Sequence, residues 1–452
     1  MGTRYRDYQP DQAYLLPPSP RDWLSEDHLA YFISDTLDAL DLGALHERYQ
    51  GDGRRNQPYH PEMLLKVLVY AYATGVFSSR KIARKLDEDI AFRVLAAGNR
   101  PDFRTMNRFR GEHLELFSKL FVEVVQLAKR MGLLKLGTLA LDGTKVKANA
   151  SKHKAMSYER MQQDEQRLEA EITELLRRAE AIDEAEDELY GPDSSGDEIP
   201  EELRRREQRL EKIREAKAAL EAEQAAADRA KGRSPDDQRV ASAKRPQGGR
   251  SKYSRDFGVP KPKAQRNFTD PESKIMKTSK GFEQCYNAQA VVEEGAQLIV
   301  AATVGSNAAD NGYLEELLDA VKANTGRKPE RVLADAGYKG EKNLIELERR
   351  KIRGYVALGR ESRQGGEAQG GAKDSPATAR MRKRLKDERG RKRYRRRKAL
   401  VEPVFGWVKR VLGFRDFSLR GLDKAQGEWD LVALALNLKR MATMDCRPQA
   451  TV

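Results

Sequence analysis

The sheet of this chain has to be assembled across a gap. Residues 137–141, Gly-Thr-Leu-Ala-Leu, form a short apolar run closed by Asp142-Gly143, and the next strand-like runs, residues 285–292 and 297–304, come only after residue 280. What lies between is of another kind. Residues 158–229 are rich in Glu, Arg, Ala and Leu; Leu168, Ile172, Leu175, Ala179, Ile182 and Leu189 keep a three-and-four spacing. Leu203, Leu210, Ile213 and Leu220 repeat it after the breaker Gly191-Pro192-Asp193-Ser194-Ser195-Gly196. A helical hairpin inserted after the first strand is predicted, followed over residues 231–280 by a Lys-, Arg-, Pro- and Gly-rich basic linker.

Beyond the gap the pattern is β-hairpin, helix (residues 311–323), strand (331–334) ending at Asp335, helix (341–350) and strand (355–358). Residues 359–379 are Gly-, Ala- and Ser-rich, and residues 380–398 hold thirteen basic and two acidic side chains, so a basic insertion is expected over 360–395. The chain then turns helical to about residue 444. Upstream of the sheet, residues 23–134 read as short helices with Gly or Pro at the breaks. Met63, Leu64, Val67, Leu68 and Ala71 make one apolar stripe, and Ser78-Ser79 stand where a cap belongs before the basic helix of Arg80, Lys81, Arg84 and Lys85. Basic helix, tight turn, helix is the outline of a helix-turn-helix, and small bundles share it. The predicted organisation is 1–135 N-terminal helical domain, 136–151 first strand, 152–280 inserted hairpin and linker, 281–445 remaining catalytic domain, and 446–452 tail.

Charge narrows the partners. The formal net charge is +14 and the pI near 9.5, a balance suited to polyanions, with nucleic acid first. Residues 155–229 carry 23 acidic and 12 basic side chains, so the rest of the chain is more basic than that total indicates. Two cysteines, Cys285 and Cys446, and five histidines at no metal-ligand spacing argue against a zinc site or disulfide framework. No signal-peptide core or bilayer-length apolar run stands in the sequence, and the chain reads as cytosolic and nucleoid-associated.

With the hairpin set aside, acids stand at the end of the first strand (Asp142), at the end of a later strand (Asp335) and on a C-terminal helix (Glu402). Taken singly, each has a bland reading as a turn residue or helix N-terminal acid. Together they follow the ribonuclease-H-like order, in which carboxylates on neighbouring strands and an adjacent helix hold two divalent ions about 3.5 to 4 Å apart for phosphoryl transfer. Oxygen ligands favour Mg²⁺, with Mn²⁺ a substitute.

The residues that follow these acids carry a resemblance. Leu141-Asp142-Gly143-Thr144-Lys145-Val146-Lys147-Ala148-Asn149-Ala150-Ser151, Thr269-Asp270-Pro271-Glu272-Ser273, Tyr286-Asn287-Ala288-Gln289, Leu333-Ala334-Asp335-Ala336-Gly337-Tyr338 and Val401-Glu402-Pro403-Val404-Phe405-Gly406 followed by Lys409 resemble the DDE transposases of bacterial insertion sequences, nearest the branch numbered eleven-eighty-two. The resemblance implies an α/β ribonuclease-H-like mixed sheet with an all-α N-terminal DNA-binding domain. It implies an enzyme that binds terminal inverted repeats, cleaves at the element ends and joins them to target DNA, working as a homodimer in the synaptic complex. By the same resemblance Asp142, Asp335 and Glu402 are the metal ligands, and Tyr394, Arg397 and Lys409 surround the glutamate and contact DNA. Arg397 stands one residue farther from the glutamate than the usual form. An inactive DNA-binding repressor and a nuclease without strand transfer remain open as alternatives.

Overall fold

In the computed structural model, residues 19–47, 58–190, 201–236, 255–359 and 375–444 are described, apart from the side chains of residues 20–21, 179–190 and 201–202. The hairpin breaker at 191–196, the middle of the linker, the first part of the basic insertion and the tail at 446–452 lie outside them.

Among the described residues, seven α-helices open the fold: α1 (Leu29–Asp38), α2 (Gly43–Glu47), α3 (Pro61–Ala73), α4 (Ser79–Glu88), α5 (Ile90–Leu95), α6 (Phe103–Glu112) and α7 (Leu114–Arg130). Pro61 opens α3 at the first helical position, where a missing N–H costs nothing, and its predicted stripe is buried. Ser78 is the N-cap residue of α4, but its side chain makes no capping bond.

The first strand, β1 (Thr138–Lys147), runs on past Asp142-Gly143, where the sequence suggested an end. Its second half is held by the antiparallel neighbour β5 and by burial of Val146 and, just beyond, Ala148. After it come β2 (Ala155–Ser157), the long helices α8 (Tyr158–Tyr190) and α9 (Glu201–Ala230), and β3 (Gln265–Asn267), which pairs with β2 at the foot of the insertion. The expected linker is therefore partly structured, and it also contains β4 (Lys274–Thr278). The chain continues through β5 (Gly281–Glu293), β6 (Ile299–Gly305), α10 (Leu314–Thr325), β7 (Arg331–Ala334), α11 (Glu341–Arg349), β8 (Arg353–Val356), α12 (Pro376–Lys386), α13 (Glu388–Gly406) and α14 (Leu422–Ala442). From Pro376 the expected basic insertion is thus helical: Ser375 caps α12 by accepting from the Thr378 N–H, and Ala377 and Met381 bury its inner side.

Strand order is β4-β5-β1-β7-β8, with β6 also paired to β5. β1 is antiparallel to β5 and parallel to β7, and β7 is parallel to β8, so the sheet is mixed. One core cluster joins this sheet to the N-terminal helices, because α14 is buried nearly all round and packs against α1, α3, α7 and β6. A buried network spans the same junction. Arg110 donates to the Tyr72 hydroxyl at 3.1 Å, Tyr72 donates to Glu428 Oε1 at 2.7 Å, and Glu428 Oε2 accepts from the backbone N–H groups of Ser418 and Leu419. Burial and the Glu428 charge push the Tyr72 phenol well above its ordinary pKa, so it stays a donor.

The hairpin has its own cluster: Tyr158, Met161 and Leu168 against Leu210, Ile213, Ala216 and Leu220. Glu165 pairs across it with Arg214 and Lys217. At its foot Asp228, itself buried, holds Arg233 and Arg255 and accepts from the Gly258 N–H. No helix among the described residues is long and apolar enough to cross a membrane.

Candidate active site

Parallel pairing puts Leu141 of β1 opposite Ala334 of β7, so the next residues, Asp142 and Asp335, stand level on adjacent strands. Each carboxylate is oriented by a glycine that follows it: the Gly143 N–H donates to Asp142 Oδ1 at 2.9 Å, and the Gly337 N–H donates to Asp335 Oδ1 at 2.8 Å. Strand alternation turns Asp142 to the α13 face, where Arg397 Nη1 donates to its Oδ2 at 2.8 Å. Burial pushes the Asp142 carboxyl up to about 6; Arg397 opposes that shift and the Asp335 charge adds to it.

Tyr338, fully buried, donates its hydroxyl to Gln289 Oε1. Its phenol is driven well above the ordinary range by burial and by Asp310, Asp142 and Asp335. Asp310 is an acid the sequence reading did not single out, since Ala308-Ala309-Asp310-Asn311-Gly312 looks only like a turn. A signal was present: Asn287 and Gln289 put two amides on one face of an otherwise apolar strand, and buried amides need partners. Both donate to Asp310 Oδ1, at 2.7 and 2.8 Å, and Lys145 stands 3.4 Å from the same oxygen.

The other expected site residues are distributed differently. Glu402 is on α13, five positions beyond Arg397, and its side chain is exposed rather than gathered with the two aspartates. Tyr394 hydrogen-bonds Arg397 and packs on the small core of Ala140, Leu333, Tyr355, Leu400 and Val401. Lys409 lies in a π-helical turn, Trp407–Val411, that continues α13; its Nζ donates to the Lys145 carbonyl at 2.8 Å, and burial lowers its pKa. Arg80, Lys81 and Arg84 are exposed on α4 and Lys85 is half-buried, far along the chain from the acids. Arg80 sits over the Phe103 ring of α6, and Arg84 and Lys85 face Glu88 and Asp89. The motif Thr269-Asp270-Pro271-Glu272-Ser273 joins elements instead: Asp270 accepts from the Tyr286 hydroxyl at 2.6 Å, and Glu272 from the Leu422 N–H at 2.7 Å.

Among the described residues no group of three or more His, Cys, Asp or Glu side chains is arranged to hold a metal ion. The donor chemistry of the aspartate pair still suits one. Both carboxylates offer hard oxygens, and the Asp335 charge raises the cost of ionising Asp142, a cost that a divalent cation removes.

Residues 254–438 match the family described as Transposase DDE domain, and residues 18–112 match Transposase domain (DUF772). No curated protein and no solved structure matches the chain. By these matches the chain carries two transposase domains, and the DDE domain implies the ribonuclease-H-like fold whose mixed sheet is described above. Asp335 and Glu402 fall within the matched DDE segment, whereas Asp142 lies before it, on the far side of the inserted hairpin.

Proposed function

We propose that this protein is an insertion-sequence transposase that binds the terminal inverted repeats of its element, cleaves DNA at the ends and transfers the freed strands to target DNA. The observation that carries the reading is that Asp142 and Asp335 directly follow the last paired residues of adjacent parallel strands, each fixed by a glycine that follows it, in a chain whose residues 254–438 match the DDE transposase domain. Asp142 and Asp335 are assigned as the residues that would hold Mg²⁺ or Mn²⁺, and Glu402, exposed on α13, is assigned as the third acid. When bound, the cation supplies a Lewis acid at phosphate and a nucleophile at neutral pH.

The chain's own residues do the rest. Arg397 neutralises Asp142 before a cation is present and, steadied by Tyr394, is the nearest guanidinium to a phosphate drawn to the acids. Lys409 is assigned to the same DNA strand, from a turn that it also pins to β1. The exposed basic face of α4 is assigned to the terminal repeats, and two copies of the chain to the paired ends. DNA carrying the element's own ends, incubated with the protein with and without magnesium, tests this by product. Magnesium-dependent end cleavage followed by joined strands is expected; binding without cleavage, or cleavage at random sites without joining, refutes it.

A further inference from the structure

Asp310 stands behind the two aspartates. Strand alternation puts Gly143, Lys145, Asn287 and Gln289 on the face of the sheet opposite Asp142, and Asp310 comes to them from the segment leading into α10. Its carboxylate lies against the bare backbone of both orienting glycines. A Cβ at Gly143 would run into the Gln289 amide first and would come within 2.6 Å of Asp310 Oδ1. A Cβ at Gly337 would come within 2.8 Å of Asp310 Oδ2 and 2.9 Å of Asp335 Oδ1. These are the two residues whose N–H groups fix Asp142 and Asp335.

The brace is itself anchored. Oδ1 accepts from Asn287 and Gln289, Gln289 in turn accepts from Tyr338, and Asn287 and Tyr338 are fully buried. The segments that follow the two acids are therefore both backed by Asp310, with Gln289 beside it at Gly143.

We propose that Asp310 is a positioning residue for the carboxylate pair, holding the Gly143 and Gly337 amides so that Asp142 and Asp335 keep a common geometry; this rests on the transposase reading above. No side chain fits at either glycine: Gln289 and Asp310 fill the space at Gly143, and Asp310 and Asp335 that at Gly337. Moving a reacting or ligating group by about 1 Å can cost on the order of 100-fold in rate.

The test uses full-length protein, an end-bearing DNA duplex and Mn²⁺, and follows single-turnover cleavage, DNA affinity and the Mn²⁺-dependent shift in melting temperature. Asp310→Ala is expected to lower the cleavage rate about 10- to 100-fold and to raise the Mn²⁺ concentration needed for half of the melting shift by a similar factor. DNA affinity should stay within about twofold, because the exposed basic surface is untouched. Asp310→Asn, which keeps the shape and the accepting oxygen, should recover most of the loss. Gly337→Ala, which pushes a methyl group against the same oxygens, should reproduce it, and supplies the answer if the Asp310→Ala protein does not fold. Wild-type rate and Mn²⁺ response in Asp310→Ala or Gly337→Ala, with Asp335→Asn inactive, would overturn the brace alone. An Asp310→Asn protein as poor as Asp310→Ala would assign the effect to charge and overturn it too. Full cleavage by Asp335→Asn would overturn the underlying reading together with the brace.

Discussion

Two helical regions are attached to the same sheet, and they are attached differently. The α8–α9 hairpin buries its seam within itself, is tied at its foot by the Asp228–Arg233–Arg255 cluster, and meets the sheet domain through the short β2–β3 pair and the contact of Glu223 with Lys274 of β4. The N-terminal helices share one core with the sheet, because α14 packs against α3 and α7 on one side and β6 on another. An apolar seam closed within an insertion makes it separable, whereas a helix buried all round makes its neighbours inseparable.

The largest contrast should appear on truncation. Replacing residues 158–229 by a short flexible linker is expected to leave a cooperatively folded protein, while a chain lacking residues 1–134 should be insoluble or molten, as should residues 20–134 alone. Circular dichroism and thermal melts of the three would show it. A well-folded fragment 20–134 would break the comparison, since that fragment lacks the α14 surface that covers α3 and α7.

Next in size is the buried junction. Glu428→Ala leaves Tyr72 without its acceptor and Arg110, which keeps its bonds to Phe77 and Asn107, without its counter-charge, and removal of one partner from a buried charged network costs about 3 to 5 kcal/mol. Chemical denaturation should show a loss of that order for the whole protein. In the hairpin, Ile213→Ala should cost about 2 to 5 kcal/mol by emptying its seam, and hydrogen exchange should place the loss in α8 and α9 while α14 and the sheet stay protected. Loss of protection spreading into β5 or β7 would mean the insertion is not independent.

The smallest effect is a pH dependence at the α7–α14 contact. Burial pushes Asp430 up to about 6, although Ser118 donates to its Oδ2 at 2.5 Å and Gln426 to its Oδ1 at 2.9 Å. A folded-state pKa above the unfolded value means that this group's contribution is present at low pH, below about 4, and is lost as pH rises through 6. Asp430→Asn should therefore gain stability relative to wild type between about pH 4 and pH 7, by on the order of 1 to 3 kcal/mol. An equal melting-temperature difference at both pH values would contradict the assignment.

Much of this architecture was legible in the sequence because its signals are periodic and apolar: the stripe of α3, the seam of the hairpin, the runs of β5, β6 and β7. What escaped is polar and set by neighbours. β3 and β4 carry Gln265, Arg266, Asn267, Lys274 and Lys277, and are strands because β2 and β5 supply their partners. β1 passes through Asp142-Gly143, a pair that reads as a turn, because β5 continues beside it to Lys147. α12 and the start of α13 are so rich in arginine that the few inward residues, Ala377, Met381 and Leu400 among them, do not stand out. Asp142 and Asp335 were readable as strand-end acids with a glycine close behind. Asp310 was not, since its role exists only where β1, β5 and the segment after β7 meet.

In the proposed reading, Asp142 and Asp335, with Glu402 of α13, carry out DNA cleavage. Asp142→Asn, Asp335→Asn and Glu402→Gln, compared with wild type for cleavage of an end-bearing duplex in magnesium and for binding of the same duplex, test it most directly. Each substitution is expected to abolish cleavage while binding and its steep fall with salt are kept, because ligand charge is lost and the basic surface is not. Wild-type cleavage by Asp142→Asn or Asp335→Asn would contradict it, and wild-type cleavage by Glu402→Gln would remove the exposed glutamate from the acid set.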